Sequence, residues 1–277
     1  MVEVNVKERK IKNKTILKDI DFKIGKGEIV GFVGENGAGK SSIMKIITGL
    51  TSNYNGYVKY NGKEIINNKL FSAFIEEPKY IDTLTGKENI KYFSKLSSET
   101  LDPVLMELIK RWDMKKHLNK KVKNYSLGTK QKLGLIITFL LERDYLIIDE
   151  PTNGMDDDSR RAFFQYIKYL QEKGKSVLLS SHNLNEISEV CNRIVKVKNG
   201  SIEDDDYDFS KVVTIRIGDI DKVDLESKFN IINIDKNNVK VEYDKDFIKN
   251  LAKLHEEYED VQLISINNYY REKIWES

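Results

Sequence analysis

The sequence predicts an α/β fold in which a mostly parallel core sheet is accompanied by an antiparallel β subdomain, a helical subdomain and a small C-terminal α+β domain. Three short apolar runs, at residues 29–33, 145–148 and 177–179, have the composition of buried strands. Segments with helical periodicity separate these runs along the chain. Strands that alternate with helices imply a parallel sheet whose ligands bind at the carboxyl ends of its strands.

Alternating residues predict an antiparallel sheet beside this core. Apolar side chains occupy every second position over residues 2–6 and 20–24, which is the pattern of half-buried strands. Residues 57–60 form another strand pattern and lead directly into Asn61-Gly62, a dipeptide typical of two-residue hairpin turns. We therefore expect an antiparallel unit that flanks the core sheet.

Helical signals dominate residues 83–142, which we predict to be a helical subdomain. Pro103 is placed to begin one helix, because proline is favoured at the first helical position. Ser126 and Gly128 precede another helix, and its apolar residues recur at helical spacing. The residues of that apolar face are Leu133, Ile136, Ile137, Leu140 and Leu141.

The acidic run at residues 203–208 indicates a domain border, so we assign residues 1–205 to a first domain and residues 206–277 to a second. Beyond the border the pattern is β-rich and has the order βαββαβ. It includes a possible helix at about residues 221–228 and a hairpin around Asn237-Asn238.

Composition excludes several classes of protein. The net charge of +2, from 46 basic and 44 acidic residues, gives no electrostatic argument for a nucleic-acid partner or an anionic membrane surface. The most apolar stretch, residues 133–141, is far shorter than the ~20 residues that span a bilayer, so we expect no membrane segment. Cys191 is the sole cysteine, which excludes an internal disulfide and favours a buried small side chain in a reducing compartment.

Residues 34–41 fit the pattern G-x-x-x-x-G-K-[ST] and predict a P-loop, which makes the core a P-loop NTPase fold. Glycines let the backbone turn tightly with its N–H groups facing a phosphate, and the helix that follows adds its dipole. Lys40 would reach the β and γ phosphates, and the Ser41 hydroxyl would ligate Mg²⁺. The predicted nucleotide-binding residues of the loop are Gly34, Asn36, Gly37, Ala38, Gly39, Lys40, Ser41 and Ser42.

Two carboxylates follow an apolar strand at the position where a parallel sheet presents side chains to its ligand. Without the P-loop, Asp149 before Pro151 is as well explained by a turn cap. With the P-loop, we expect Asp149 to bind Mg²⁺ directly or through water, and Glu150 to polarise the water that attacks the γ-phosphorus. His182 ends another apolar strand, where a lone histidine is more often a packing or capping residue.

Several motifs in order resemble those of the ATP-binding subunit of an ABC transporter, over about residues 1–205. Residues 34–42 look like Walker A, 145–150 like Walker B with its catalytic glutamate, 153–156 like the D-loop, 125–131 like the signature, and His182 like the switch histidine. The resemblance implies ATP and Mg²⁺ as ligands, and catalytic roles for Glu150 and His182.

In this family two nucleotide-binding domains pair head to tail, so that each nucleotide lies between the P-loop of one subunit and the signature of the other. The resemblance therefore implies that Ser126, Gly128 and Asp156 also contact nucleotide, and that ATP closes the dimer while hydrolysis reopens it. The second subunit is either a copy of this chain or a different one.

The chain departs from the family pattern at several positions. Leu127 and Thr129 replace the usual glycine and glutamine of the signature, and Ile11 stands near the usual place of the aromatic residue that stacks on adenine. Glu76 occupies the position of the Q-loop glutamine, and we expect it near the Mg²⁺ site. Glu76 together with the signature sequence resembles the corresponding motifs of the branch that exports bacitracin, lantibiotics and related antimicrobial peptides. The C-terminal unit resembles the accessory domain of export-type subunits.

The resemblance implies an ATPase subunit that works as a dimer at the cytoplasmic face of the cell membrane and drives a separately encoded integral membrane permease. Antimicrobial or amphipathic peptides are the expected cargo, and no nucleic-acid partner is expected. Two alternatives remain open, a soluble ABC-type ATPase that acts on ribosomes or DNA and a regulatory module that binds nucleotide without hydrolysis. The presence of one nucleotide-binding domain rather than two, without sustained heptads, disfavours the first. The presence of Lys40, Asp149, Glu150 and His182 disfavours the second.

Overall fold

A computed structural model gives the fold, which consists of two compact units, Met1–Asp206 and Tyr207–Ser277. The structure describes residues 1–64, 70–76, 79–94, 102–188, 190–204, 209–218, 224–225, 227–242, 246–258 and 260–270.

The first unit alternates strands and helices along the chain. Its strands are β1 (Val2–Ile11), β2 (Lys14–Ile24), β3 (Ile29–Val33), β4 (Asn55–Tyr60), β5 (Lys63–Glu64), β6 (Phe71–Phe74), β7 (Tyr145–Ile148), β8 (Ser176–Ser181), β9 (Arg193–Lys198) and β10 (Ser201–Asp204). Its helices are α1 (Lys40–Ile47), α2 (Gly86–Ser94), α3 (Pro103–Arg111), α4 (Leu127–Leu140), α5 (Asp157–Glu172) and α6 (Leu184–Ile187).

The core sheet has the strand order β10-β9-β3-β8-β7-β6. The β3 strand pairs in parallel with β8 and β9, and β7 pairs in parallel with β6 and β8, whereas β10 is antiparallel to β9. Every residue of β7 and β8 is buried, as expected for strands covered on both faces. The prediction of a mostly parallel core sheet is confirmed. Its carboxyl edge carries the loop after β3, the turn after β7 and the end of β8.

The antiparallel sheet has the order β2-β1-β4-β5, which confirms the predicted flanking unit. Val2, Val4 and Val6 of β1 are buried while the residues between them are partly exposed, so alternation places one face of the strand in the core. The hairpin between β4 and β5 turns at Asn61 and Gly62, whose φ angles of 49° and 77° suit the predicted two-residue turn.

The helix after the P-loop is shorter than its apolar pattern suggested. Ile43, Ile46 and Ile47 are buried, as expected for its core face. Leu50 continues the apolar spacing of these residues in the sequence but is not part of this face, because α1 ends at Ile47 and Leu50 is 60% exposed. Gly49 has a φ of 69°, a left-handed conformation that ends helices, so the chain has already turned away before Leu50.

The predicted helical subdomain contains α2, α3 and α4. Asp102 caps α3 by accepting a hydrogen bond of 2.7 Å from the Val104 N–H, and Pro103 begins the helix. Ser126 caps α4, whose residues 133–140 are all buried in the core that α3 and α5 share. Within the described part of the chain, no helix is both long and apolar enough to cross a bilayer.

Cys191 packs against the same core, and burial raises the pKa of its thiol. A thiol that stays protonated is a weak nucleophile. Cys191 is partly buried, so it is less enclosed than the buried small side chain that the sequence suggested.

The second unit is an antiparallel sheet with its own apolar core, in the strand order β12-β13-β11-β14. Its elements are β11 (Phe209–Ile217), β12 (Ile231–Asp235), β13 (Asn238–Glu242), α7 (Phe247–Glu257) and β14 (Val261–Tyr270). The hairpin turn is at Lys236-Asn237, one residue before the predicted Asn237-Asn238, because Lys236 takes the left-handed φ of 53° and Asn238 already pairs with Asp235. Of the possible helix at residues 221–228, half lies outside the described residues, and the described residues 224–225 and 227–228 are in turn or irregular conformation.

Candidate active site

The loop between β3 and α1 has a backbone that only small residues allow. Gly37 and Gly39 take φ angles of 84° and 112°, in the left-handed region. A Cβ atom added at Gly34 would lie 2.1 Å from the carbonyl oxygen of Val197, so any side chain would displace the backbone of β9. The loop therefore has the tight turn that a phosphate cradle requires, and it leads directly into the first turn of α1.

Lys40 curls back over this loop. Its Nζ donates hydrogen bonds to the carbonyl oxygens of Gly34 at 2.6 Å and Glu35 at 3.2 Å. The side chain is only 5% exposed, and its third close oxygen is Glu150 Oε1 at 3.3 Å. The ammonium group is thus held at the mouth of the loop, next to the carboxylate predicted to act in hydrolysis.

Glu150 joins two other predicted site residues. Its Oε2 lies 2.9 Å from Nδ1 of His182, while Oε1 forms the ion pair with Lys40. The carboxylate is largely buried and the imidazole is about half exposed. Lys40, Glu150 and His182 come from three separate segments of the chain, and the structure brings them into one continuous line of contacts.

The turn after β7 is held by a buried serine of β8 that our sequence reasoning missed. Ser180 Oγ donates to Asp149 Oδ1 at 2.6 Å and accepts a hydrogen bond of 2.8 Å from the Glu150 N–H. The Asp149 N–H donates to the carbonyl oxygen of Phe74 at 2.7 Å. The sequence offered one signal, because two serines stand directly before His182 at the end of an otherwise apolar strand.

The donors at this edge suit Mg²⁺. Ser41 lies in the first turn of α1, and Asp149 is buried directly after β7. Both offer hard oxygen ligands, the kind that Mg²⁺ prefers. Among the described residues, a hydrogen-bond partner is found only for Oδ1 of Asp149, so Oδ2 is available to a metal ion or its water.

Glu76 has a different partner from the one expected. It follows β6 with a φ of 58°, and its carboxylate accepts a hydrogen bond from Nζ of Lys45, one turn beyond Ser41 on α1. The sequence did not indicate this contact, because the two residues are 31 positions apart. Glu76 is therefore a neutralised charge near α1, and its place at the metal site stays a prediction.

The signature residues form the N-terminus of α4. Ser126 Oγ accepts a hydrogen bond from the Thr129 N–H at 3.3 Å and lies 2.8 Å from the Thr129 hydroxyl. Leu127 is 80% exposed, although glycine is usual there. A Cβ added at Gly128 would have as its nearest neighbour the carbonyl oxygen of Gly154, at 3.8 Å, so space is left beside the helix end.

Gln131 ties the signature helix to the turn after β7. Its Nε2 donates to the carbonyl oxygens of Pro151 at 3.0 Å and Glu150 at 3.4 Å. A shift of α4 would be transmitted through these two hydrogen bonds to the turn that carries Glu150. Gln131 was assigned to the signature from the sequence, but this bracing contact was not predicted.

Asp156 caps its own helix. Its Oδ1 accepts a hydrogen bond of 2.8 Å from the Ser159 N–H, and Oδ2 accepts one of 2.9 Å from the Ser159 hydroxyl. These bonds hold the pKa of the carboxyl below its usual range. Such a carboxylate stabilises the N-terminus of α5, and its predicted contact with nucleotide stays a prediction.

The remaining loop residues lie where the pattern placed them. Ser42 follows Ser41 in α1, and its carbonyl oxygen is 3.5 Å from Nη1 of Arg9. Ile11 ends β1 and is exposed. An aliphatic side chain there offers a nucleobase no aromatic face for stacking.

A P-loop, a buried aspartate next to a partly buried glutamate, and a histidine at one edge of a parallel sheet define a P-loop nucleotide hydrolase. The family model described as ABC transporter matches residues 17–153. The chain belongs to the ABC transporter ATP-binding proteins, a family of ATPases.

Two curated relatives come from bacteria. The uncharacterized ABC transporter ATP-binding protein YdbJ of Bacillus subtilis is 36% identical over 202 residues, which are 71% of this chain and 66% of YdbJ, so the match spans just under two thirds of that relative. The lantibiotic transport ATP-binding protein SrtF of Streptococcus pyogenes is 31% identical over 204 residues, 73% of this chain and 89% of SrtF.

A solved structure shows the same fold. The ATP-binding cassette MJ0796, a dimer in a post-hydrolysis state with bound ADP and Pi, superposes with a TM-score of 0.65 at 22% identity. The superposition covers 74% of this chain and 98% of that one. The predicted P-loop NTPase fold class is thus confirmed.

Proposed function

We propose that this chain binds and hydrolyses Mg·ATP as one of two paired subunits and drives a separately encoded membrane permease that exports antimicrobial or amphipathic peptides. It would act at the cytoplasmic face of the membrane, held there by the permease. One observation carries the hydrolytic part. At the carboxyl edge of the sheet, Glu150 contacts both Lys40 and His182, next to the buried Asp149.

Binding uses groups that are already in position. The loop backbone and the N-terminus of α1 supply N–H groups and a partial positive charge for the phosphates. When ATP binds, Lys40 keeps its hydrogen bonds to the loop carbonyls and exchanges its ion pair with Glu150 for contacts with the β and γ phosphates. Before ATP binds, the ion pair with Glu150 gives the buried ammonium group of Lys40 a charged partner.

Hydrolysis needs a base aligned with the γ-phosphorus. Glu150 accepts a proton from a water molecule as the water oxygen attacks the phosphorus, and the bond to the β–γ bridging oxygen breaks to leave ADP and phosphate. His182, 2.9 Å from the Glu150 carboxylate, holds that carboxylate in direction and contacts the γ-phosphate side of the site. Mg²⁺ bound by Ser41 and Asp149 would supply charge neutralisation at the phosphate oxygens.

The pairing of two subunits is supported by the signature helix. Ser126, Leu127 and Gly128 present a helix N-terminus with an exposed residue and open space beside it. Such an end suits a phosphate, which a second subunit can provide. MJ0796, which was solved as a dimer, is a precedent for pairing of two copies of this fold. Asp156, which begins α5, would lie at the same interface.

The permease and cargo are supported by likeness. SrtF is named for lantibiotic transport, and this chain covers 89% of its length. Glu76 and the signature sequence around Ser126 favour the same branch of antimicrobial-peptide transporters. Peptide transport therefore suits both the relative and the local sequence, and we assign the membrane-spanning part of the transporter to a separately encoded permease.

The test is purification of a tagged chain from detergent-solubilised membranes of the native cell. We expect a polytopic membrane protein to co-purify in a fixed ratio, and the complex to hydrolyse Mg·ATP faster in the presence of amphipathic peptides. The Lys40→Ala variant is the matched control, because it should still co-purify but should not hydrolyse ATP. Recovery in the ribosomal fraction or on DNA, with no membrane protein bound, would favour the soluble alternative.

A further inference from the structure

Ser180 of β8 is fully buried, and its hydroxyl contacts both carboxylate residues that follow β7. It is 0% exposed and directly follows three apolar residues of the same strand, 177–179. Its Oγ donates to Asp149 Oδ1 at 2.6 Å and accepts from the Glu150 N–H at 2.8 Å. A serine hydroxyl has one donor and two acceptor positions, so the donor and one acceptor are used on adjacent residues.

The hydrogen bond from the Glu150 N–H to Ser180 matters because of the backbone conformation of Glu150. Glu150 has a φ of 45°, in the left-handed region that side chains other than glycine rarely adopt. Strained backbone persists only where the surroundings hold it, and such strain is concentrated at functional sites. The bond from the Glu150 N–H to Ser180 is a buried restraint on this conformation, and the same conformation aims the carboxylate between Lys40 and His182.

The first bond fixes the other carboxylate. Because Ser180 occupies Oδ1 of Asp149, the plane of the carboxyl group is set and Oδ2 remains for the metal ion or its water. An aliphatic residue would suit a buried strand better than serine, since it leaves no hydroxyl to satisfy. At position 180 it would leave the Glu150 N–H and Asp149 Oδ1 without this partner, which is costly in a buried site.

We propose that Ser180 is a positioning residue for ATP hydrolysis, which aligns the metal-side carboxylate of Asp149 and the general base Glu150 through a single hydroxyl. This inference rests on the proposed function. Ser180 does not touch substrate. It acts through the two carboxylate residues, and its loss should therefore impair the chemical step more than nucleotide binding.

The experiment compares Ser180→Ala and Ser180→Thr with wild type and with Ser72→Ala. Ser72 is a matched control, because it is a buried serine of β6 in the same sheet, and its hydroxyl has no hydrogen-bond partner among the described residues. We expect Ser180→Ala to lower kcat about 10- to 100-fold, as small misalignments of reacting groups do, with KM for ATP within about threefold of wild type. Ser180→Thr keeps the hydroxyl and should recover most of the rate, and Ser72→Ala should match wild type.

A binding measurement separates positioning from general damage. Titration with a fluorescent ATP analogue should give Ser180→Ala the wild-type affinity without Mg²⁺, because the P-loop is unchanged. With Mg²⁺ its affinity should be weaker than that of wild type by no more than about threefold, because Asp149 is no longer fixed in direction while the P-loop still holds the phosphates. If Ser180→Ala does not fold, Ser180→Cys keeps the size with a weaker donor and should fall between wild type and inactivity.

Two results would overturn the inference. The first is a Ser180→Ala protein that hydrolyses ATP as fast as Ser72→Ala, and the second is equal losses in Ser180→Ala and Ser180→Thr. If wild type itself does not hydrolyse Mg·ATP, the proposed function fails and this inference fails with it. An active wild type with an unaffected Ser180→Ala rejects the inference alone.

Discussion

Replacing Glu150 with glutamine removes one negative charge while keeping the shape of the side chain. The carboxylate lies 3.3 Å from Lys40 Nζ and 2.9 Å from His182 Nδ1, so it is well placed to take a proton from water near the γ-phosphate. An amide cannot accept that proton. Loss of a general base lowers rates about 10²- to 10⁴-fold, roughly 3 to 5 kcal/mol of barrier, and we expect Glu150→Gln to lose hydrolysis on this scale.

The same change should not weaken ATP binding. Opposite charges at 3.3 Å attract each other by at most about 5 kcal/mol at an effective dielectric constant near 20, and the desolvation of both groups offsets much of this. Glutamine releases Lys40 from its ion pair and removes the repulsion between a carboxylate and the γ-phosphate. ATP affinity should therefore stay the same or increase while the hydrolysis rate collapses.

Two assays measure these opposite effects. Phosphate release at saturating Mg·ATP gives the rate, and titration with a fluorescent ATP analogue gives the affinity. Glu172→Gln, an exposed substitution at the end of α5, serves as the matched control and should behave as wild type. A rate for Glu150→Gln within about threefold of wild type, or a clearly weaker affinity, would refute the assignment of Glu150 as the base.

Three further predictions test other parts of the molecule. Lys40→Ala should abolish ATP binding in a folded protein, because the loop loses its one full charge; equilibrium dialysis that shows wild-type affinity would contradict this. Glu76→Gln should make nucleotide binding depend less on Mg²⁺, since it frees Lys45, whereas Lys45→Ala should make it depend more; identical Mg²⁺ titrations would exclude a link to the metal. Deletion after residue 208 should leave a protein that binds ATP, because the two units have separate cores; loss of binding on deletion would show that the second unit completes the first.

The predictable features of this fold are those written in local patterns. The buried runs of β3, β7 and β8 and the glycine spacing of residues 34–41 are sufficient to predict a parallel sheet with a phosphate loop at its carboxyl edge. Helix starts at Pro103 and Ser126 were also predictable, because caps depend on residues within one turn. The end of α1 was less so, since Leu50 continues the apolar period and only the left-handed Gly49 ends it.

The unpredicted features are contacts between residues far apart in the sequence. Ser180 of β8 contacts Asp149 at the end of the neighbouring strand β7, and Lys45 of α1 contacts Glu76 after β6. Nothing in the periodicity of either segment specifies which polar groups will meet once the sheet has formed. Asp156 illustrates a related limit, because the same residue type serves as a helix cap or as a ligand, and the cap is visible only in its bonds to Ser159.

Closure of two such subunits around ATP can be tested by the molar mass of Glu150→Gln in solution. Light scattering should give the 32.2 kDa of one chain without nucleotide and twice that mass with saturating Mg·ATP, because ATP that is not hydrolysed holds the pair together. Ser126→Arg, which would obstruct the N-terminus of α4, should remain monomeric under both conditions. If Glu150→Gln binds Mg·ATP but keeps the mass of one chain at every ATP and protein concentration, pairing of two copies through the signature helix is contradicted.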